Sequence, residues 1–450
     1  MFIGSSLPDR RWITQFTKRI QYSCLHAAMI ALVVASPSAQ AATANWSPEQ
    51  QIASNLAFTE FAVKPNTAVN AAGRSVVVWD KPIPITGGFG GTSPQVYAAV
   101  RATSTGAWSA ATALSPEGAR NGGATVDPVS GKVTVFWIAG GVPYASTSSD
   151  AGFGFLPSSV AADTDGRGNI TVILARPQLT GSAFDIEAVV RAADGRWRTP
   201  VMLTGPAGAT LFGRPHFNVV SDGQALLSVG LTTFRRDSRG QWAAPQTVNL
   251  TGLNPIVVPS ADIDAKGKGY FVVRAISSGV IGAYLSTSTP TSGWSTPHHV
   301  AMFDDIGVGG LQVTGSSSDR AMISGYDSSG SVRASATRDS GRSWGTLANL
   351  GPSIEPKAAG SENGLYALGW NSFGATGATY SVATGSGLGS ASTAWITTTL
   401  TSLARLGSSS VATAGKSDSS TARAVAGWEG EIVTTTLEEF IGASTGVINK

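Results

Sequence analysis

The sequence predicts an all-β fold, a β-propeller built from four-stranded antiparallel blades. One unit recurs along the chain: an apolar strand after a glycine-containing turn, a second strand, and a turn that delivers an aromatic residue before a short polar strand. Successive aromatics of this kind lie 42 to 52 residues apart, and helical periodicity is almost absent after the first forty residues. A period near fifty residues with about four short strands is the pattern of a propeller blade.

The first segment of the chain has the features of a secretory signal peptide. Residues 10–19 contain four basic side chains, the apolar run AAMIALVVA follows, and small residues then end at Ala41 in an A-x-A cleavage pattern. The paired arginines leave a twin-arginine signal as the alternative. The apolar run is too short for a bilayer-spanning helix. We therefore expect residues 1–41 to be removed on export, and residues 42–450 to form one propeller domain that is secreted or periplasmic.

Export changes the charge balance of the chain. The full sequence has 31 Lys and Arg against 28 Asp and Glu, and the signal takes four of the basic residues and one acidic residue, Asp9. The remaining chain is neutral and has no basic run, so it offers no electrostatic footprint for nucleic acid or for an anionic membrane. The only cysteine, Cys24, leaves with the signal. We expect neither disulfides nor cysteine-based metal sites.

The recurrent apolar strand is hydrophobic on consecutive residues, as expected where sheets cover both of its faces. Eight segments carry it: GRSVVVWD (73–80), GKVTVFWI (131–138), GNITVILA (168–175), GQALLSVG (223–230), GKGYFVVR (267–274), DRAMISGYD (319–327), GLYALGWN (364–371) and ARAVAGWE (422–429). This burst is the second strand of each predicted blade.

The tryptophans support this register. Eleven remain after the signal, and they occupy two positions of the repeat. Seven open the last strand of a unit: Trp46, Trp108, Trp197, Trp242, Trp294, Trp344 and Trp395. Four end the second strand, where Tyr326 is a substitute: Trp79, Trp137, Trp370 and Trp428. Recurrence at fixed positions predicts rings that pack between blades rather than a platform for a ligand.

The two ends of the exported chain predict ring closure. The segment ANWSPEQQI after the signal resembles a lone last strand, whereas the C-terminal unit lacks that strand. Pairing the two would complete one blade and remove an exposed sheet edge. Counting that blade gives eight, with seven as the alternative because the unit that ends at Phe155 and the terminal unit are irregular.

The segment TRDSGRSW (337–344) resembles the Asp-box, or BNR repeat, S/T-x-D-x-G-x-S/T-W, that recurs in sialidase-like propellers. It matches every defined position: Thr337, Asp339, Gly341, Ser343 and Trp344. The segment SSDAGFGF (148–155) is a degraded copy. An Asp side chain can accept N–H bonds of its own turn, and Gly supplies a positive φ. The resemblance implies a structural turn between the third and fourth strands, away from the active face.

For an enzyme, the same resemblance implies three arginines, one of them in an Arg-Ile-Pro motif near the start, together with a Tyr–Glu nucleophile pair and an acidic Asp. Arg214-Pro215 in FGRPHF does not match that motif. No spacing singles out the other residues. A sialidase-like or other glycoside hydrolase therefore stays an alternative function with unassigned catalytic residues.

The sequence gives little support to metal or cofactor chemistry. His298 and His299 are adjacent, so in a strand they point to opposite faces and cannot share a metal. The glycine-rich stretch GGFGG (87–91) precedes no helix that could hold a phosphate, and we interpret it as a loop. We expect neither a metal nor a cofactor.

The loops that leave the second strands are the predicted ligand site, because polar residues of varied kind follow strands that repeat. The predicted ligand-binding residues are Asp80, Lys81, Arg176, Arg274, Asp327, Asn371 and Glu429. The longest such loop is predicted over residues 80–95, where it could cross the channel mouth. Loops before first strands add Arg120, Asn121, Arg214, His216, Asp304, Asp305 and Lys357.

Polar side chains around a rim suit hydroxyl-rich ligands, to which Trp79, Trp370 and Trp428 could offer a ring face. We therefore expect a monomeric, secreted protein that binds a glycan or cell-surface carbohydrate without catalysis. The glycoside hydrolase alternative predicts two carboxyl groups within about 10 Å of each other in a deep pocket. A structural or protein-interaction propeller of the cell envelope is the second alternative, and it predicts an exposed apolar patch of several hundred Å².

Overall fold

The computed structural model of the protein describes most of the chain after the predicted signal. The described residues are 43–46, 50–56, 65–84, 92–103, 106–127, 131–139, 142–147, 150–154, 159–177, 183–204, 209–210, 215–257, 259–306, 311–352, 354–374, 377–386, 395–403, 405–414, 421–433 and 437–449. The predicted signal, Phe155, Arg214 and residues 85–91 of the predicted long loop lie outside this part. Ala41–Lys450 form one unit by their internal contacts.

The chain forms antiparallel sheets of mostly consecutive strands. Before them come β1 (Thr43–Trp46) and β2 (Gln50–Leu56). Sheet 1 contains β3 (Asn66–Val69), β4 (Ser75–Pro84), β5 (Thr92–Arg101) and β6 (Thr112–Ala113). Sheet 2 contains β7 (Ala119–Val126), β8 (Val133–Ala139), β9 (Val142–Thr147) and β10 (Asp150–Gly154). Sheet 3 contains β11 (Ser159–Thr164), β12 (Ile170–Pro177), β13 (Ala183–Arg191), β14 (Val201–Met202) and β15 (Ala209–Thr210).

The middle of the chain continues the pattern. Sheet 4 contains β16 (His216–Val219), β17 (Ala225–Val229), β18 (Thr232–Arg236) and β19 (Gln246–Thr247). Sheet 5 contains β20 (Asn254–Pro255), β21 (Ser260–Ile263), β22 (Gly269–Ser277), β23 (Val280–Ser288) and β24 (His298–His299). A single 3₁₀ turn, Ala301–Phe303, follows. Sheet 6 contains β25 (Gln312–Gly315), β26 (Ala321–Tyr326), β27 (Ser331–Thr337) and β28 (Ala348–Pro352).

The last two sheets bring the ends of the chain together. Sheet 7 contains β29 (Ile354–Gly360), β30 (Tyr366–Gly374), β31 (Gly377–Gly385) and β32 (Trp395–Leu403). Sheet 8 contains β33 (Arg405–Ala414), β34 (Thr421–Val433) and β35 (Leu437–Asn449), and both β1 and β2 pair with β35. The register runs from Thr43 opposite Asn449 to Trp46 opposite Gly446. The N-terminal strand therefore closes the C-terminal sheet, as predicted.

The first long strand of each sheet lies innermost and contacts its counterparts in the two neighbouring sheets. These innermost strands are β3, β7, β11, β16, β21, β25, β29 and β33, and β33 contacts β3 again. The sheets therefore form a closed ring around a central channel. This confirms the predicted fold class, a β-propeller with four-stranded antiparallel blades.

Apolar side chains of adjacent sheets pack together between the blades. One cluster joins Ile173 and Ile186 of sheet 3 to Leu227 and Phe234 of sheet 4, all of them buried. Equivalent clusters join sheet 1 to sheet 2, and each of sheets 4 to 7 to the sheet that follows it. Both faces of the second strands are thus covered, which explains their unbroken apolar runs.

The two tryptophan positions are buried to different degrees. Trp79, Trp137 and Trp370 at the ends of second strands are 0%, 5% and 2% exposed. Of the rings that open the fourth strands, Trp395 is buried at 7% exposure. The others are half-buried at the edges of apolar clusters: Trp108, Trp197, Trp242, Trp294 and Trp344. The expectation that Trp79 and Trp370 offer a ring face to a sugar is wrong, because the core encloses both rings.

Antiparallel pairing gives the ring two distinct faces. Turns from first to second and from third to fourth strands lie on one face, which we call the turn face. Connections from second to third strands and between sheets lie on the other, the loop face. The segment 337–344 lies on the turn face, whereas the predicted ligand-binding residues belong to the loop face. On that face the predicted loop 80–95 is partly strand, because β4 and β5 remain paired out to Pro84 and Thr92.

Candidate functional site

The channel opens at the turn face into a cavity of about 860 Å³. Its lining comes from the C-terminal ends of all eight innermost strands and from the turns that follow them. Hydroxyl and amide side chains make up much of the lining, among them Thr67, Asn70, Thr125, Thr164, Asn218 and Ser221. Residues remote in sequence thus meet in one cavity, whose lining combines these polar side chains with apolar ones such as Val69, Val126 and Ala412.

Two aspartates cover strand edges that face the channel. An innermost strand has one edge without a strand partner, so its N–H groups need other acceptors. Asp163 of β11 accepts a hydrogen bond from the backbone N–H of Val219 in sheet 4, at 2.7 Å. Asp262 of β21 accepts one from the backbone N–H of Gly315 in sheet 6, at 2.8 Å. Each carboxyl group links its own sheet to the next.

The remaining oxygens of these carboxyl groups are also engaged. Oδ1 of Asp163 accepts the N–H of Thr164 at 2.8 Å. Oδ1 of Asp262 accepts the N–H of Ile263 at 2.7 Å and the side-chain amide of Asn218 at 2.5 Å. Both oxygens of each aspartate therefore accept hydrogen bonds from the protein, which suits them for holding strands rather than for transferring protons.

Burial keeps these two carboxyl groups partly protonated near neutral pH. Desolvation raises the pKa of Asp163 to about 7, although the N–H groups of Val219 and Thr164 favour the charged form. Desolvation also raises the pKa of Asp262 to about 6, against the hydrogen bond from Asn218 and those from the backbone. Burial of Asp163 consequently reduces the negative charge of the larger cavity, which Asp262 does not line.

A smaller cavity of about 180 Å³ lies further along the channel toward the loop face. His216, Asp262 and Gln312 are among its lining residues. Burial, followed by the positive charge of Lys357, lowers the pKa of His216. His216, predicted from the loops before first strands, is thus brought next to channel residues.

The charge of the larger cavity is one-sided. The described residues that line it include the carboxyl groups of Asp163 and Glu362 but no Lys, Arg or His. Its hydroxyl, amide and turn backbone groups can both donate and accept hydrogen bonds. This arrangement can bind an uncharged, hydroxyl-rich molecule, and it offers no cationic anchor for a carboxylate or a phosphate.

On the loop face, Asp80 and Lys81 lie in a paired strand rather than in a loop. Asp80 accepts a hydrogen bond from the backbone N–H of Gly122 at 3.1 Å, which ties sheet 1 to sheet 2. Lys81 pairs with Gln95 in the ladder, and its ammonium lies 5.2 Å from the ring centre of Tyr97. Asp80 therefore has the same strand-covering role as the channel aspartates.

Asp327 stabilises its own hairpin turn. It is 2% exposed, its Oδ1 accepts the N–H groups of Ser329 and Ser331 at 2.9 Å, and its Oδ2 lies 2.6 Å from Nε of Arg333. Burial opposes ionisation most strongly, yet the hydrogen bonds from Ser329 and Ser331 and the charge of Arg333 together lower the pKa of Asp327 to about 2. Its carboxylate is committed to this turn.

Of the other four predicted residues, two are buried and two have defined positions in paired strands. Arg274 and Asn371 are 9% and 8% exposed. Arg176 lies in β12 opposite Asp185, and Glu429 lies in β34 opposite Ile441. None of the seven predicted residues lines either of the two cavities described above. Their role in ligand binding stays a prediction.

The segment 337–344 forms the turn between β27 and β28. Oδ1 of Asp339 accepts the hydroxyl of Thr337 and the N–H of Ser343, both at 2.8 Å, and Oδ2 accepts the hydroxyl of Ser343 at 2.5 Å. Gly341 has a φ of 89°. The ring of Trp344 packs edge-on against Phe303, with centroids 6.0 Å apart. Asp339 ties the hairpin, as predicted.

Other turns on this face use a buried arginine in the place of Thr337. Arg101, Arg191 and Arg236 each form a bridge with the tryptophan that opens the next strand. Nε of Arg236 donates to the carbonyl of Gly223 at 3.0 Å, and its guanidinium lies 5.7 Å from the ring centre of Trp242. These three arginines therefore belong to turns and not to the channel.

Sequence reasoning missed the channel residues, although a signal for two of them exists. The segments ADTD (162–165) and ADID (261–264) occupy the same position before the first turn of sheets 3 and 5. In each, the first aspartate reaches the next sheet and the second accepts N–H groups of its own turn, as Asp165 does from Arg167 and Asn169. The repeated A-D-x-D pattern is therefore a sequence signal for both roles, the contact with the next sheet and the stabilisation of the turn.

Metal and membrane features are limited in the part of the chain that the structure describes. There, no group of three or more His, Cys, Asp or Glu side chains is placed to hold a metal ion. His298 contacts the carbonyl of Gly341, whereas His299 contacts Asp304 at 2.7 Å and stacks on Tyr284. Within the described residues, no helix has the length and apolar character needed to cross a bilayer.

Comparisons with known proteins find similarity to this chain in fold only. No family model and no curated protein matches it. Its fold is similar to that of the polysaccharide lyase Uly1, with 10% identity and a TM-score of 0.42 over 76% of this chain and 90% of that one. It is also similar to the subtype N11 neuraminidase-like protein of A/flat-faced bat/Peru/033/2010, with 11% identity and a TM-score of 0.39 over 91% and 94%.

A third similar structure is the fucose-specific lectin from Aleuria aurantia, with 12% identity and a TM-score of 0.34 over 65% of this chain and 96% of the lectin. At these identities the resemblance concerns the fold alone.

Proposed function

We propose that the protein is a secreted, non-catalytic carbohydrate-binding β-propeller whose ligand enters the channel at the turn face. The observation that carries the proposal is the composition of the cavity there. Hydroxyl, amide and backbone groups form much of the lining of a space of about 860 Å³, and the described lining residues include no basic side chain. A neutral saccharide presents donors and acceptors in alternation and needs partners of both kinds.

The size of the cavity supports the same class of ligand. Cavities that bind small molecules typically enclose roughly 300–1,000 Å³, so this one has room for a short saccharide. Binding rather than hydrolysis is favoured because both oxygens of Asp163 and of Asp262 accept hydrogen bonds from the protein. A general acid must donate a proton to the glycosidic oxygen from within hydrogen-bonding distance, whereas these carboxyl oxygens are already hydrogen-bonded to the protein.

Two neighbouring alanines offer a matched test of the binding site. Ala71 and Ala72 occupy the same turn after β3, but only Ala71 is a lining residue of the cavity, whereas Ala72 is exposed. On a glycan array, we expect Ala71→Trp to abolish binding and Ala72→Trp to bind like the wild type. Equal binding by both variants would place the ligand elsewhere. In that case the combined change of Asp80, Asn371 and Glu429 tests the loop face.

A hydrolase remains the second candidate because burial raises the pKa of Asp163 to about 7, a value found in general acids. A hydrolase would release reducing ends from a bound glycan, and Asp163→Asn would stop the release without preventing binding. The binding proposal instead expects bound glycans to be recovered intact from wild type and variant. Mass spectrometry of the recovered glycan distinguishes the two.

Secretion is a part of the proposal that rests on the sequence of residues 1–41. Expression of the full chain in a bacterium with a periplasm should give an exported product that begins at Ala42. N-terminal sequencing of the exported protein measures this directly. Retention of the full-length chain in the cytoplasm would contradict export.

A further inference from the structure

One hydrogen bond crosses the mouth of the channel. Ser221 follows the innermost strand of sheet 4, and Glu362 follows that of sheet 7, so two sheets lie between them on the shorter way round the ring. The backbone N–H of Ser221 donates to Oε1 of Glu362 at 2.6 Å. Both residues line the 860 Å³ cavity. The Glu362 side chain therefore spans part of its opening.

The N–H groups at the same position of two other turns have different partners. Gly166 donates to the carbonyl of Ser221 at 2.9 Å, and Ala265 donates to the carbonyl of Ser316 at 2.8 Å. In both cases the acceptor is a backbone oxygen of the adjacent sheet, which belongs to the fixed frame of the ring. Ser221 instead donates to a partly exposed side chain from the far side of the mouth.

The backbone around Glu362 is held in place, so only its side chain can swing. The turn is closed by the N–H of Gly364 on the carbonyl of Ser361 at 3.0 Å. The carbonyl of Ser361 also accepts the hydroxyl of Ser316 at 2.5 Å, which ties the turn to sheet 6. Rotation about the side-chain bonds of Glu362 is enough to break its hydrogen bond with Ser221.

We propose that Glu362 is a latch over the channel mouth. Its carboxylate occupies an oxygen-binding position at the N–H of Ser221, and a hydroxyl of the ligand takes that position when the side chain swings out. The proposal rests on the proposed function in one respect, namely that the ligand enters this cavity. It adds the atom that anchors the ligand and the residue that controls entry.

The latch also sets the preferred charge of the ligand. In either position Glu362 keeps its negative charge at the mouth, and the described lining has no basic side chain to offset it. A carboxylate-bearing sugar is repelled there, whereas a neutral sugar is not. Glu362 is therefore a specificity-determining residue that favours neutral over acidic saccharides.

Access of thiol reagents to the cavity tests the latch without any glycan. The only natural cysteine is Cys24, so the full chain with Cys24→Ser has no other thiol. Ala412→Cys then places a reporter among the lining residues of β33, and Ala72→Cys places a control on the exposed turn outside the cavity. The probes are methyl methanethiosulfonate, which is neutral, and its sulfonatoethyl analogue, which is anionic.

Two variants of Glu362 separate the hydrogen bond from the charge. With Glu362→Ala, we expect the neutral probe to modify the Ala412→Cys thiol about tenfold faster, because the mouth no longer closes. Glu362→Gln keeps an acceptor for Ser221, so the reaction rate of the neutral probe should change less than twofold. The anionic probe should react severalfold faster, because the negative charge at the mouth is gone. Rates at Ala72→Cys should stay unchanged throughout.

Equal rates at Ala412→Cys with and without Glu362→Ala would overturn the latch. A similar acceleration at Ala72→Cys would overturn it as well, since it would indicate general loosening. These outcomes are independent of the glycan array. If no glycan on the array binds, the proposed function is contradicted but the latch is not. If a glycan binds and the thiol rates are equal, only the latch is contradicted.

Discussion

Asp163 shows how a single residue near the channel couples stability to pH. Its ordinary pKa is 3.8, and burial raises it to about 7 in the folded protein. The folded state therefore holds a proton that the unfolded chain has already released at intermediate pH. The resulting stabilisation is complete below about pH 4 and is lost as the pH rises through about 7.

The Asp163→Asn variant tests this coupling. Because Asn stays neutral, the free energy of unfolding of the variant relative to the wild type should rise by about 2 kcal/mol between pH 5 and pH 8. Burial lowers the pKa of His216 and so gives an opposite trend, but it does so in both proteins and cancels in the difference. Urea unfolding at several pH values measures the effect, and a constant difference would contradict it.

Asp339 is a residue whose role is confined to its turn. Asp339→Ala removes three hydrogen bonds to Thr337 and Ser343, and we expect a loss of about 1–3 kcal/mol in unfolding free energy. Arg342→Ala in the same turn is the control, because that side chain is exposed. Thermal unfolding compares them. Equal stability of both variants would mean that the Asp339 carboxylate does not hold the hairpin.

At the scale of elements, the innermost strands approach each other closely at the turn face. A Cβ on Gly315 would lie 2.3 Å from the backbone oxygen of Ile263 in the neighbouring sheet. A Cβ on Gly360 would lie 2.3 Å from the backbone oxygen of Gly315 in turn. Backbone atoms cannot yield as flexible side chains do, so glycine is required where three innermost strands meet.

The substitution Gly315→Ala should therefore destabilise the protein strongly. Forcing the strands apart is expected to cost about 3 kcal/mol or more. Gly293→Ala is the matched control, because a Cβ there meets no atom within 4 Å. Chemical unfolding gives both values. A Gly315→Ala variant as stable as Gly293→Ala would contradict the close approach of the innermost strands at Gly315.

How well the sequence predicted the structure also differs between elements. The second strands were predictable because packing between sheets requires the same apolar run in each unit, as in residues 75–79. The polar lining of the cavity was not predictable. It brings single residues such as Asn218 and Ser221 next to lining residues more than a hundred positions away in the sequence. The predicted loop 80–95 failed in part because β4 and β5 stay paired beyond Asp80, despite the prolines in both strands.

At the scale of the whole molecule, the closure of the ring depends on the pairing of β1 and β2 with β35. Deletion of residues 42–56 exposes an edge of sheet 8, which can then pair with another chain. We expect a lower melting temperature and concentration-dependent association in light scattering. Thr43 lies opposite Asn449, so a circular permutant that joins β35 to β1 by a short turn preserves the pairing. It should behave like the wild type.

The molecule as a whole also explains why the fold was predictable and the site was not. Eight similar units encode one architecture many times over, so degraded copies do little harm to the prediction. The cavity is encoded once, by one to five residues from each unit, and the segments around Asp163 and Glu362 have no common motif. We therefore expect the function of this propeller to depend on the residues that deviate from the repeat.

The central claim is that the cavity at the turn face binds a glycan and leaves it intact. A crystal structure of residues 42–450 with the strongest glycan from the array tests it most directly. We expect an uncleaved saccharide within the ring of innermost strands, with a hydroxyl oxygen at the N–H of Ser221 and Glu362 turned outward. A saccharide bound at the loop face near Asp80 and Asn371, or a cleaved one beside Asp163, would contradict the claim.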